Sequence, residues 1–153
     1  MRLIHPASPR QLNLGLAILR VIVGVIFAAH GGQKLFVYGL DGVAGTFGQM
    51  GIPLASLTAP AVALVEFFGG LALILGLLTR LAGFGLAVTM LGALLLVHLR
   101  GGFFLPTGYE YVLALLGASA ALTITGGGRY SLDALLAERR TTARSEQPQL
   151  QGA

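Results

Sequence analysis

The chain contains no cysteine. Structural disulfides, CxxC redox chemistry and thiolate metal sites are therefore excluded, and any electron or proton traffic has to use a bound cofactor or His and Glu side chains. Charge is nearly as scarce. Asp, Glu, Lys and Arg make up 10% of the 153 residues, against about 25% in ordinary soluble domains. With 55% hydrophobic residues and a mean hydropathy of +0.81, there is too little polar surface to coat a globule in water. The composition reads as an integral membrane protein of one domain. Soluble-type catalysis also lacks its signatures: there is no nucleophile elbow, P-loop or dinucleotide fingerprint, and Gly126-Gly127-Gly128 follows an apolar span rather than a strand. The N-terminus lacks the charged start, short apolar core and small-residue cleavage site of a signal peptide, so the first apolar segment is expected to be retained.

What the sequence does hold is apolar runs. Residues 14–36, 59–78, 81–99 and 109–125 each approach the roughly 20 residues that a helix needs to cross a bilayer. The expected fold is all-α, an integral membrane four-helix bundle with up-down topology. Residues 1–13 read as a flexible lead and 14–136 as the membrane domain. Between the first two runs, 37–58 reads as a Gly-rich loop lying on the membrane surface. Ser131 is placed to cap a short C-terminal helix with Asp133 in its first turn, and 137–153 reads as a disordered charged tail. Gly24, Ala28 and Gly32 follow small-xxx-small spacing, as do Ala114 with Ala118 and Gly117 with Ala121, which suits close helix packing in lipid.

The formal charge is +4, yet the basic residues sit at segment ends and no aromatic-interleaved basic face suggests a nucleic-acid partner. With four spans, Arg2, Arg10, Arg80, Arg129, Arg139, Arg140 and Arg144 fall on one side, and Lys34 and Arg100 on the other. The positive-inside tendency then puts both termini and the C-terminal helix in the cytoplasm.

Against this background Glu66 stands out. A carboxylate inside a span costs about 2.5–3.5 kcal/mol on insertion scales and marks a functional site by default. At 1.5 Å per residue, His30 lies roughly 9 Å and Glu66 roughly 10 Å below the outer ends of their spans. His98, Arg100, Glu110 and Lys34 collect at the same outer level, so every span contributes an ionisable group to the outer half. The plainer readings stay open: Lys34, Arg100 and Glu110 as interfacial anchors, His98 as an interfacial histidine, and His30 with Glu66 as a structural pair between helices. Arg20 is too deep to join this cluster. It reads as snorkelling inward toward Asp133 or the backbone after the triple glycine, or as an inner half-site.

The stretches LRVIVGVIFAAHGGQKLF (19–36), FGQMGIP (47–53), EFFGGLALILGLLTRLAG (66–83), HLRGGFFLPTGYEY (98–111) and GGGRYSLD (126–133) together resemble the DoxX family in its motif order. The resemblance implies small four-helix bacterial inner-membrane proteins associated with quinone-linked oxidoreductase systems. It also implies that the family's polar positions correspond to Arg20, His30, Lys34, Glu66, His98 and Glu110.

The expected function is a membrane subunit of a redox system that binds a quinone or similar small amphiphile in the outer half. His30, His98 and Glu66 would supply donors and protonatable groups, and Phe67, Phe68, Phe103 and Phe104 the apolar walls. Arg100 and Glu110 complete the set of ligand-binding candidates. The alternative is a non-catalytic anchor or assembly partner of a larger complex, with the polar cluster as interhelical glue. A haem or metal on His30 and His98 ranks lower, because their depths differ and no ExxH or HxxxH spacing occurs. A small transporter ranks last, because no internal repeat or broken helix stands out. Lipid and other subunits of a membrane complex are the expected partners, and self-association is left open.

Overall fold

A computed structural model describes residues 6–146; Arg2 and residues 147–153 lie outside them. The order is α1 (Pro9–Gly32), a π-helical turn (Gln33–Tyr38), α2 (Leu40–Gln49), α3 (Ala55–Leu75), α4 (Thr79–Ala93), a second π turn (Leu94–His98), a 3-10 turn (Leu99–Gly101), α5 (Glu110–Thr125) and α6 (Leu132–Glu146). Three helical stretches, Pro9–Tyr38, Ala55–Leu75 and Thr79–Gly101, are long and apolar enough to cross a membrane. α5 is equally apolar but has 16 residues. Large apolar side chains such as Ile22, Phe36, Leu81 and Ile124 cover the outside, as lipid rather than water requires.

Local chemistry moves several boundaries from their expected places. α1 begins at Pro9, inside the expected flexible lead, because Ser8 and Gln11 close a capping box with Pro9 in the first helical turn. α2 occupies much of the expected loop at 37–58. Its glycines weaken the helical signal, but Asp41 sits in its first turn, Val43 is buried and the helix packs on α3. α6 continues to Glu146, beyond the expected start of a disordered tail at 137; Asp133 stands in its first turn.

α1 lies closest to α3 and α4 to α5, and α3 joins the two pairs by packing on α4. The α1–α3 contact is backbone on backbone. A Cβ at Gly31 would stand 2.3 Å from the Phe67 nitrogen, and one at Gly70 would stand 2.4 Å from the Ala28 nitrogen, so only glycine permits this approach. The expected small-residue stripes are therefore partly right. Gly24 does meet Gly70 and Ile74, but Gly32 touches only aromatic rings at 3.6 Å and Gly117 meets nothing within 4 Å.

One end of the bundle, here the Arg20 end, is closed by polar capping. Arg20 is 5% exposed. Its Nη1 donates to the carbonyls of Leu73 and Ile74, and its Nη2 to that of Tyr130. The guanidinium thus satisfies the last carbonyls of α3, where a cation is favoured, and ties them to the turn after the triple glycine. Gly76 ends α3 at φ +69°, and a Cβ there would stand 2.6 Å from that of Ser131. The Asp133 carboxylate accepts from Leu78 N–H at 2.7 Å and Thr79 N–H at 2.9 Å, while its own N–H donates to Gly76 O at 2.9 Å. It caps the start of α4 from another helix and supports Leu78, which is held in the left-handed region at φ 48°. Ser131 Oγ accepts from Ala134 N–H at 3.2 Å, capping α6 as expected.

Burial pushes the Asp133 carboxyl up, but the N–H groups of Thr79 and Leu78 and the nearby Arg20 outweigh it and hold the group below its ordinary range. A depressed carboxyl stabilises the fold above its unfolded value of about 3.9, and that contribution fades as pH falls through the lower folded value. The Asp133 contribution to the melting temperature in nanodiscs is therefore expected to be constant from pH 7 to about 5 and to fall at lower pH. Asp133→Asn is expected to start about 0.5–2 kcal/mol less stable and to lose most of that acid dependence. An acid dependence identical in both proteins would contradict the assignment.

Candidate functional site

At the opposite end, here the Lys34 end, the two helix pairs diverge around a cavity of about 790 Å³. α1 contributes Phe27 and His30, and the π turn that continues it Lys34; α3 contributes Thr58 to Glu66 along one face; α4 and its π turn contribute residues from Phe84 to His98. Tyr111, Val112 and Leu115 of α5 close the far wall. Phe47, Met50 and Ile52 of the α2 region, with Leu105 and Pro106 of the next loop, cover the end. The lining is mostly apolar with a few polar groups among it, which is the usual composition of a small-molecule site.

The deepest polar feature is an ion pair between Lys34 Nζ and Glu66 Oε2, with the side chains 19% and 5% exposed respectively. Pairing offsets much of the cost of burying either charge. Counting residues along the helix axes makes His30 the nearest match to Glu66, and the backbones agree: the packing of Gly31 against Ala63 and Phe67 sets His30 level with Glu66. Helical side chains, however, lean toward the N-terminus of their own helix. α1 and α3 are antiparallel, so Glu66 leans toward the Lys34 end while Lys34 reaches back to meet it. The partner of Glu66 is therefore Lys34, one turn from His30, and not His30 itself. His30 lines the same cavity with its side chain exposed.

His98 arrives by a different device. Eight residues beyond Met90, a regular helix would carry it about 80° round from the buried Met90 direction. The π turn at Leu94–His98 advances each residue by a smaller angle and brings His98 back to the cavity wall. The other π turn, Gln33–Tyr38, contains Lys34. Wide turns of this kind recur at functional sites, and here both flank the polar groups.

The cavity thus gathers His30, Lys34, Glu66 and His98. It does not gather the other expected residues. Glu110 Oε1 accepts from Leu105 N–H at 2.9 Å and holds the 102–109 loop, in the first turn of α5 where a carboxylate favours the helix. Arg100 is exposed at the 3-10 turn, outside the lining. Arg20 belongs to the capped end described above, bound to the backbone after the triple glycine. The expected aromatic walls also change. Phe67 stacks edge-on between Phe36 and Phe68, and Phe103 stacks with Phe104 and Tyr109, so none of the four lines the cavity. Phe27, Phe47, Phe84 and Tyr111 do. Thr89 joins them; it stands nine residues before His98, and its hydroxyl donates to Gly85 O at 3.0 Å. On a regular helix Thr89, nine residues before His98, would fall on the opposite side from it, so no α4 face ending in His98 announced it; the π turn at Leu94–His98 brings the two to one cavity. Phe47 depended on α2 being a helix.

Comparison with known proteins gives a consistent picture. The family model described as DoxX matches residues 15–99. The chain is 36% identical over 124 residues to "Putative oxidoreductase CatD" of Bacillus subtilis, covering 81% of this chain and 88% of that protein. It is 35% identical over 151 residues to "Uncharacterized membrane protein Rv3486" of Mycobacterium tuberculosis, covering 92% and 90%. It is 33% identical over 128 residues to "Inner membrane protein YqjF" of Escherichia coli, covering 81% and 93%. No solved structure gives a significant match.

Removing one member of the ion pair leaves a charge facing an apolar wall. Glu66→Ala or Lys34→Met alone is expected to destabilise the protein in nanodiscs by up to about 3–5 kcal/mol. The double variant Lys34→Met with Glu66→Leu is expected to regain most of that loss. Single variants as stable as the parent, or a double variant no better than either, would contradict a buried pair.

Proposed function

The chain belongs to the DoxX family, and on that premise we propose that its cavity binds the head of a quinone, or a similar lipid-soluble amphiphile, as part of a membrane redox system. It is a multi-pass protein of the bacterial inner membrane. The observation that carries the proposal is the coincidence, in one apolar cavity of about 790 Å³, of a part-buried ion pair with two histidines. A quinone head is a flat ring with carbonyl oxygens at opposite edges. The ring suits walls such as Phe27, Phe84 and Tyr111, and the oxygens suit donors such as Lys34, His30 and His98. The residues present therefore fit the group. When bound, a quinone supplies two-electron chemistry coupled to protons. The chain's own part is to orient the head, keep water away from it, and hold or pass protons at the imidazole nitrogens of His30 and His98 and at the Glu66 carboxylate. The name of the Bacillus subtilis relative, "Putative oxidoreductase", points in the same direction.

The topology proposed with this reading is four crossings with both termini cytoplasmic. α5 is about 24 Å long at 1.5 Å per residue, short for a hydrocarbon core of about 30 Å, and the flanking turns extend it. Arg10, Arg80, Arg129, Arg139 and Arg140 belong to the Arg20 end, with Arg100 at the other, which orients the Lys34 end outward. A reporter fused after α6 is expected to read as cytoplasmic, and an external signal would overturn this orientation.

A second reading has its own support. The Lys34–Glu66 pair is satisfied by itself and ties α1 to α3, so it can serve as interhelical glue in a membrane anchor or assembly partner. The double variant separates the two, because it keeps the packing and removes the polar head site. Purified protein in nanodiscs with bacterial lipid is expected to retain quinone, measured by solvent extraction and chromatography, and the Lys34→Met, Glu66→Leu variant is expected to retain at least about tenfold less. Equal retention by a folded double variant would sink the proposal and favour the anchor.

A further inference from the structure

α3 and α4 make close contact only part of the way along their seam. A Cβ on Gly69 would stand 3.2 Å from Leu86, and one on Gly85 would stand 3.3 Å from Val65. Beyond Gly85, toward the Lys34 end, the packing opens. Gly92 lines the cavity, and a Cβ placed there meets nothing within 4 Å. The cavity is lined from both sides of this gap, by Ala61 and Val65 of α3 and by Val88 and Gly92 of α4. Its inner wall holds buried Glu66 and Met90, whereas Phe84 at 58% and Val88 at 53% exposure stand on the outer, lipid-facing side of the same cavity. From Leu96 back to Phe84 the exposed apolar edge runs twelve residues along α4, about 18 Å. It leads from near the level of His98 past the middle of the span toward the Arg20 end.

We infer that the α3–α4 seam is a side entrance from the bilayer, through which a ligand with one long hydrocarbon tail puts its head beside Lys34 and Glu66 and leaves its tail in the groove between Val65, Phe84 and Val88. This rests on the functional reading above and narrows it. The ligand is tailed and arrives from the lipid, the cavity holding its head and the seam its tail. The groove's chemistry is one-sided in the required sense. Its exposed walls are apolar and face the hydrocarbon, and the charged pair lies at its inner end, so a tail gains no polar contact and a head gains all of them. A ligand entering from water would instead have to pass the cover formed by Phe47, Met50 and Leu105, which is itself apolar.

The test uses the full chain in nanodiscs and two probes with the same ring: a tailless dimethoxy-methyl-benzoquinone and its long-chain isoprenoid form. Gly92→Trp fills the seam from α4 in space that is open, and Ala61→Trp fills it from α3, where Ala61 is an exposed lining residue; melting curves certify that each variant folds. The parent is expected to bind both probes. Either tryptophan is expected to weaken the long-chain form at least tenfold and leave the tailless form within about twofold, while Gly117→Trp, which points away from the cavity, changes neither. Unchanged long-chain binding in folded variants would overturn the side entrance and leave the quinone reading standing. Equal loss of both probes would also overturn it, because the head site rather than the seam would then have been filled. A parent that binds neither probe would reject the functional reading and this inference together.

Discussion

α1 and α3 touch backbone to backbone at Gly31 and Gly70, and the level at which they touch decides what the cavity contains. The contact brings Glu66 within reach of a side chain from α1. It also fixes which one, because each side chain leans toward its own helix start. In lipid no hydrophobic drive pulls helices together, so this approach depends on absent side chains. α4 and α5 pair separately, and the cavity is the space left where the two pairs diverge.

The two ends of the bundle use charge in opposite ways. At the Arg20 end, Arg20 is consumed by carbonyls and Asp133 by N–H groups. These groups close helix termini and fasten α6 to the α3–α4 turn, leaving a rigid base. At the Lys34 end the charges meet each other, and the histidines line open space instead of being packed. One end is thus fastened and the other left hollow.

Much of this was legible in the sequence, and what was not has identifiable causes. The scarcity of charge and the length of the apolar runs were enough for a helical membrane bundle, and the depth of Glu66 was enough to point to the end that holds the cavity. Its partner was missed because axial counting follows backbones and not the lean of side chains. His98 reached the cavity through a π turn that no residue pattern announces. The aromatic walls were misassigned because Phe67 and Phe68 flank Glu66 in sequence yet stack outside the cavity, whereas Phe47 and Phe84 arrive from α2 and α4. Arg20 behaved as depth and charge demanded, reaching the backbone beyond the triple glycine.

The central claim is that the polar head of an amphiphile sits inside this cavity. Photolabelling in native membranes with a long-chain quinone that carries a photoreactive group on its ring, followed by peptide mapping, tests it most directly. Labels are expected on cavity residues such as Met50, Met90 and Tyr111, with competition by unlabelled quinone. Labels confined to lipid-facing positions such as Val21 or Ile124, or labels that competition does not reduce, would contradict it.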